Sequence, residues 1–150
     1  MIKIRKIDHV AVAVSDIDES LKKFRAVLGL EAREREVVAS QKTEAALIPC
    51  GEASVELIQP VGNEGLEKFL DKRGPGLHHI AIEVEGIEDA LKFLDSMGVP
   101  LIDKVPRLGA RGHKVAFVHP KATGGVLIEL VEPAGGELVA TLSFVKIPSE

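Results

Sequence analysis

Taken as hydrophobic and polar positions, the chain states one pattern twice. From 7 to 14 it runs Ile-Asp-His-Val-Ala-Val-Ala-Val, and from 77 to 84 Leu-His-His-Ile-Ala-Ile-Glu-Val. His9 falls on His79, Ala11 on Ala81, and Val10, Val12 and Val14 on Ile80, Ile82 and Val84. β-Branched residues at alternate positions predict a strand with one face in a core. The opposite face then carries a single imidazole in each copy.

The elements behind the two strands also repeat. Ser15-Asp16 is a helix cap, Ile17, Leu21, Phe24 and Leu28 recur at helical spacing, and Gly29 closes the segment. Strands are expected over 31–38, 43–49 and 54–60, then a short helix over 63–72 with Leu66, Phe69 and Leu70 inward. Gly74-Pro75-Gly76 is a turn. The second round has a strand at 77–84 and a helix marked by Ile87, Leu91, Leu94 and Met97 that ends at Gly98. A hairpin of 101–106 and 114–119 around a loop at 108–112, and a last strand at 126–132, complete it. Val55-Glu56-Leu57-Ile58-Gln59-Pro60 parallels Ile128-Glu129-Leu130-Val131-Glu132-Pro133, so the repeat holds to its end. Two copies mean an internal duplication and not a solenoid. The expected fold is α+β: duplicated βαβββ modules forming a curved mixed sheet around a cleft. One domain is expected over 1–150, with module one at about 1–60, a linker helix at 61–76, module two at about 77–133 and a tail at 134–150. Within the tail, 138–147 reads as a strand without a counterpart.

Composition narrows the function. A net charge of −4 and five Phe without Trp or Tyr argue against a nucleic-acid partner, which wants basic surface and stacking platforms. No apolar run approaches the roughly 20 residues of a membrane span, and the N-terminus has no signal-peptide core. Cys50 is the one cysteine, which excludes an internal disulfide and fits a reducing cytoplasm. With no activating partner nearby in sequence, it reads as a small buried residue.

The chemistry lies in the repeated polar positions. His9 pairs with His79, and Glu56 with Glu129, each in mid-strand among Val, Ile and Leu. Any one of them alone would read as a residue on a solvated sheet face. The pairing points instead to one cleft receiving a His and a Glu from each module. Two imidazoles and two carboxylates suit a divalent first-row ion such as Co²⁺, Mn²⁺, Ni²⁺ or Zn²⁺ with positions left for substrate oxygens. Ala11 and Ala81, next along the same faces, leave room beside it. Alternation sends His78 to the other face, in a structural place. His113 and His119 have no paired counterpart and read as structural or loop residues.

With these residues in place, the chain resembles the vicinal-oxygen-chelate superfamily and, within it, the methylmalonyl-CoA epimerase family over residues 7–133. The segments that carry the resemblance are Ile-Asp-His-Val-Ala at 7–11, 76–81 around His78-His79, and 119–130 from His-Pro-Lys to Gly-Val-Leu-Ile-Glu-Leu. It implies metal ligation by His9, Glu56, His79 and Glu129, with Co²⁺ favoured. It also implies an acyl-CoA substrate, a homodimer, and epimerisation at C2 of methylmalonyl-CoA through a metal-stabilised enolate. Glu44, at the head of the apolar run 45–48, falls on the family's proposed base, and Glu129 is implied as the second proton carrier. Without the resemblance Glu44 reads as an exposed strand-end carboxylate. Some family members carry Gln at the second ligand position, so Glu56 adds a negative charge here. The same ligand set also serves a glyoxalase-I-like lyase, and the fold serves metal-free binding proteins.

Between Asp103 and Lys121, five basic residues (Lys104, Arg107, Arg111, Lys114 and Lys121) face one acid. A basic hairpin on an acidic protein can steer a phosphorylated ligand such as CoA. A solvated, charge-rich hairpin is the other reading of the same residues.

Overall fold

The computed structural model describes residues 1–135; the strand expected at 138–147 lies outside the described residues. The elements are β1 (Lys3–Ala13), α1 (Ile17–Leu28), β2 (Glu34–Val38), β3 (Thr43–Cys50), β4 (Ala53–Pro60) and α2 (Glu64–Arg73). They continue as β5 (Gly76–Glu85), α3 (Ile87–Ser96), β6 (Arg107–Leu108), β7 (Lys114–Val118) and β8 (Ile128–Glu132). The βαβββ order appears twice with α2 between the copies, so the α+β duplication is borne out.

The eight strands of the described residues share one mixed sheet in the order β2-β3-β4-β1-β5-β8-β7-β6. In each module the first and last strands run parallel, with Ala11 beside Glu56 and Ala81 beside Glu129. The modules join within the chain, where β1 runs antiparallel to β5. His9 stands opposite Ala81, Ala11 opposite His79, and Val10 opposite Ile80. Because these residues are duplicates of one another, the junction has a local two-fold through the Val10–Ile80 pair.

Both modules hold a helix on the outer face, and one of the devices that fix it is duplicated. Asp16 accepts from the Glu19 N–H at 3.1 Å and so caps α1, and Gly29 ends it at φ +68°, where a Cβ would be strained. Gln59 Oε1 accepts from the Ile17 N–H at 2.9 Å, and its duplicate Glu132 accepts from the N–H groups of Gly86 and Ile87. α1 packs Ile17 on Val14, Ala46, Ile48 and Leu57, while α3 packs Ile87, Ala90 and Leu91 on Val84, Ala116, Val118 and Leu130. Each of the large buried side chains contributes roughly 2–3 kcal/mol of apolar burial. With the outer face filled by helices, the inner face is left to the polar residues. α2 closes one end of that inner face, with Leu66 against Ala11, Ala13, Val38, Ala45 and Ile58.

Two details depart from the sequence reading. The expected strand at 101–106 shrinks to a single Leu101–Val118 bridge, and the two-residue β6 is the strand that pairs with β7 on the side away from β8. Asp103 explains part of this: its carboxylate takes the Phe117 N–H at 2.8 Å, where a neighbouring strand would have offered a carbonyl. Pro106 adds a residue without an N–H. Cys50 is exposed at the end of β3 and is not a core residue.

Candidate metal centre

The sheet register lays the candidate ligands out in two rows. Glu56, Ala11 and His79 sit side by side on β4, β1 and β5, and Glu129, Ala81 and His9 on β8, β5 and β1. Each alanine, fully buried, separates a carboxylate from an imidazole and lets the two rows lean together. The result is a buried polar cluster on the inner face, with His9, Glu56, His79 and Glu129 each 3–6% exposed.

The distances are those of donors around one point. Glu129 Oε1 lies 3.3 Å from His9 Nε2 and 3.8 Å from His79 Nε2, and Glu56 Oε1 lies 3.5 Å from His9 Nε2. Ligand atoms of His9, His79 and Glu129 all fall within 4.8 Å of one another. Donors about 2.1 Å from a shared ion stand roughly 3–4 Å apart. The Nε2 atoms of His9 and His79 are buried without a hydrogen-bond partner. A buried imidazole nitrogen left unpaired is costly in a bare core and satisfied by an ion, so the residues fit a divalent metal. Glu56 joins the cluster through His9.

Burial works against the charged form of His9, but Glu56, Asp8 and Glu129 outweigh it and push the imidazole up to about 10. Burial pushes His79 well down, with His9 adding to the effect, so it is the neutral partner. Glu56 is raised by burial and by Glu129. Without an ion, the proton on His9 therefore balances the surrounding carboxylates.

Each ligand histidine is held at Nδ1 by the residue before it. Asp8 Oδ2 lies 2.6 Å from His9 Nδ1, and His78 Nδ1 lies 2.9 Å from His79 Nδ1. His78 also packs edge-on against Phe69, ring centroids 4.9 Å apart. This corrects the alternation argument that turned His78 to the far face: β5 does not alternate regularly there.

Glu44 is not brought to this set. Leu47 is the β3 residue opposite Glu56, so Glu44, three positions away, points to the outer face with Ala46 and Ile48. There Arg35 Nε donates to its carboxylate at 2.7 Å while Arg35 Nη1 reaches Asp18 of α1 at 2.6 Å. The same alternation brings Glu34 and Glu36 to the inner face.

The basic residues separate. Arg111 lines the cleft: its backbone N–H donates to Glu36 at 2.7 Å, and its guanidinium lies 3.4 Å from Asp8 and 3.8 Å from Glu34. The short turn Ala110–Gly112 of module two thereby docks on the inner face of module one. Arg107 stacks over Phe117 at 5.6 Å and pairs with Asp103. Lys104 pairs with Asp95, Lys114 with Glu88 of α3, and Lys121 sits in the short turn Pro120–Thr123. His119 caps that turn, as a loop residue should.

His113 lines the cleft with both ring nitrogens buried and unpaired. Burial, reinforced by Arg111, pushes it down to about 4. A histidine held below its ordinary 6.5 stabilises the fold above that value, and this is lost as pH falls towards 4. Glu34 and Glu56, raised by burial, slope the other way, so the difference between wild type and His113→Leu isolates the effect. In the metal-free protein, wild type should lose up to about 3 kcal/mol more than His113→Leu between pH 7 and pH 4 in urea unfolding. Parallel pH curves would refute it.

The chain belongs to the glyoxalase/bleomycin resistance protein/dioxygenase superfamily, whose sequence profile matches residues 8–117. Within it, the chain belongs to the methylmalonyl-CoA epimerase family. It is 36% identical to the mitochondrial methylmalonyl-CoA epimerase of Dictyostelium discoideum, over 87% of this chain and 80% of that one. Its structure matches methylmalonyl-CoA epimerase of Mycobacterium tuberculosis at a TM-score of 0.84 and 37% identity, covering 91% and 93% of the two chains. A Streptomyces coelicolor methylmalonyl-CoA epimerase variant in complex with 2-nitronate-propionyl-CoA matches at 0.83 and 30%, covering 89% and 100%.

Proposed function

We propose that the protein is a metal-dependent epimerase that interconverts (R)- and (S)-methylmalonyl-CoA by removing and returning the proton at C2. The observation that carries this is the convergence of His9, His79 and Glu129 on one buried point, with Glu56, the duplicate of Glu129, against His9. His9, Glu56, His79 and Glu129 would hold the ion. When bound, a divalent ion supplies Lewis-acid stabilisation of the negative charge that develops on the substrate oxygens.

The chain's own residues divide the remaining work. Epimerisation needs a proton removed from one face of C2 and one delivered to the other. Glu56 and Glu129 hold equivalent positions under the local two-fold, each near His9 Nε2, and are the pair assigned here to the two faces of C2. Glu129 takes the proton from C2 on its side, and Glu56 delivers one on the other; the reverse reaction exchanges the roles. Arg111, at the cleft wall, and Arg107, beside Phe117, are the cations assigned here to the anionic substrate; their nearness to the cleft supports this. Lys104 and Lys114 are paired with Asp95 and Glu88, and with Lys121 they serve as outlying charge that steers the CoA moiety.

Cobalt is the proposed ion by likeness to the family, since the mixed N/O donor set accepts any of the first-row ions. The working unit is one domain per chain in a homodimer, and a lone unpaired Cys50 supports a reducing cytoplasm. No helix among the described residues is long and apolar enough to cross a membrane.

A single methylmalonyl-CoA epimer, incubated with metal-loaded protein in deuterated water, should gain deuterium at C2 and lose stereochemical purity, as followed by NMR. Failure with Co²⁺, Mn²⁺, Ni²⁺ and Zn²⁺ alike would sink the proposal. Turnover of the methylglyoxal–glutathione adduct in its place would move the protein to the lyases.

A further inference from the structure

We propose that Asp8 and His78 are positioning residues of the metal centre, each the extra residue of a β-bulge that turns it onto the Nδ1 of the ligand histidine that follows. This rests on the metal-dependent reading above. The ladder between β1 and β5 passes from Ile7–Ile82 to His9–Ala81, leaving Asp8 without a partner. At the other end it passes from Ala11–His79 to Val12–Leu77, leaving His78 without one. The two irregularities are equivalent under the local two-fold: the duplication copied the bulge together with the ligand.

The bulges matter because a regular strand would send the residue before each histidine to the outer face. An inserted residue bends the strand and re-aims its side chain. Asp8 Oδ2 thereby comes to 2.6 Å from His9 Nδ1, and His78 Nδ1 to 2.9 Å from His79 Nδ1. In both copies it is Nδ1 that is engaged, while Nε2 is buried, unpaired and near Glu129. A proton held on Nδ1 fixes the tautomer and leaves the Nε2 lone pair directed at the ion. The partners are themselves braced, Asp8 by Arg111 at 3.4 Å and His78 by the edge of Phe69. They differ in kind: a carboxylate raises the basicity of His9, whereas a neutral imidazole only orients His79.

The test titrates Zn²⁺ and Co²⁺ into the metal-free full chain by calorimetry. Asp8→Asn and His78→Phe should each bind roughly 10- to 100-fold more weakly than wild type. His78→Asn, whose amide sits near the place of Nδ1, should recover most of the loss. Thermal unfolding of the metal-free variants separates this from a folding defect, because a merely structural role would lower Tm and leave affinity in the folded protein unchanged. Wild-type affinity in Asp8→Asn and His78→Phe overturns the inference. Absence of uptake by wild type overturns the metal-dependent reading itself.

Discussion

His79→Ala should abolish stoichiometric metal binding and slow deuterium exchange at C2 at least about 1,000-fold, a loss of roughly 4 kcal/mol of transition-state stabilisation. The size follows from the place of this side chain. His79 Nε2 faces Glu129 at 3.8 Å with no other partner, and its ring is walled by Phe117, centroids 5.2 Å apart, and by His78. Alanine would leave Ala11, the opposite residue, facing another methyl group, with nothing from either strand to replace the lost nitrogen. Stability should suffer much less than function. In the metal-free protein His79 is a neutral imidazole with an unsatisfied buried nitrogen, so its removal relieves one desolvation penalty while opening a cavity. Metal analysis of the purified variant, with exchange measured by NMR, decides the matter. One equivalent of metal retained by His79→Ala would overturn its assignment as a ligand.

The sequence carried the ligand rows because duplication leaves a record that does not depend on predicting any single strand. Glu56 and Glu129 stand on strands that alternate regularly, His9 and His79 are followed by regular alternation, and the duplicate segments around each pair show them as equivalents although the offset is 70 for the histidines and 73 for the glutamates. What it did not carry is whatever depends on register across strands or on breaks in alternation. Glu44 shows the first limit: β3 is apolar on both faces, so nothing in its pattern tells which side Glu44 takes until Leu47 is seen opposite Glu56. Asp8 and His78 show the second, since a bulge lies in the pairing and not in the composition of either strand. The contact of Arg111 with Asp8, Glu34 and Glu36 spans 75 or more positions and has no local signature. The recurrence of Gln59 and Glu132 was visible, but their use as helix caps needed the three-dimensional placement of α1 and α3.

Glu129→Gln and Glu44→Gln should separate by about two orders of magnitude or more. An amide can still offer an oxygen to a metal but cannot accept and return a proton, so Glu129→Gln measured at saturating metal should lose roughly 10²- to 10⁴-fold in exchange. Glu56→Gln should lose a comparable factor, because the second face of C2 then has no carboxylate from the symmetric pair. In this chain Glu56 is present in the cleft, while Glu44 is turned to the outer face and tied through Arg35 to Asp18. Glu44→Gln should therefore keep its metal and exchange within about 3-fold of wild type, far from the loss a proton carrier suffers. The one ion pair it gives up, with Arg35, has both side chains about a quarter exposed and is worth at most about 1 kcal/mol of stability. Retained metal and fold with exchange lost in Glu44→Gln would return the role of base to Glu44, and would require β3 to present that carboxylate to the inner face when substrate is bound.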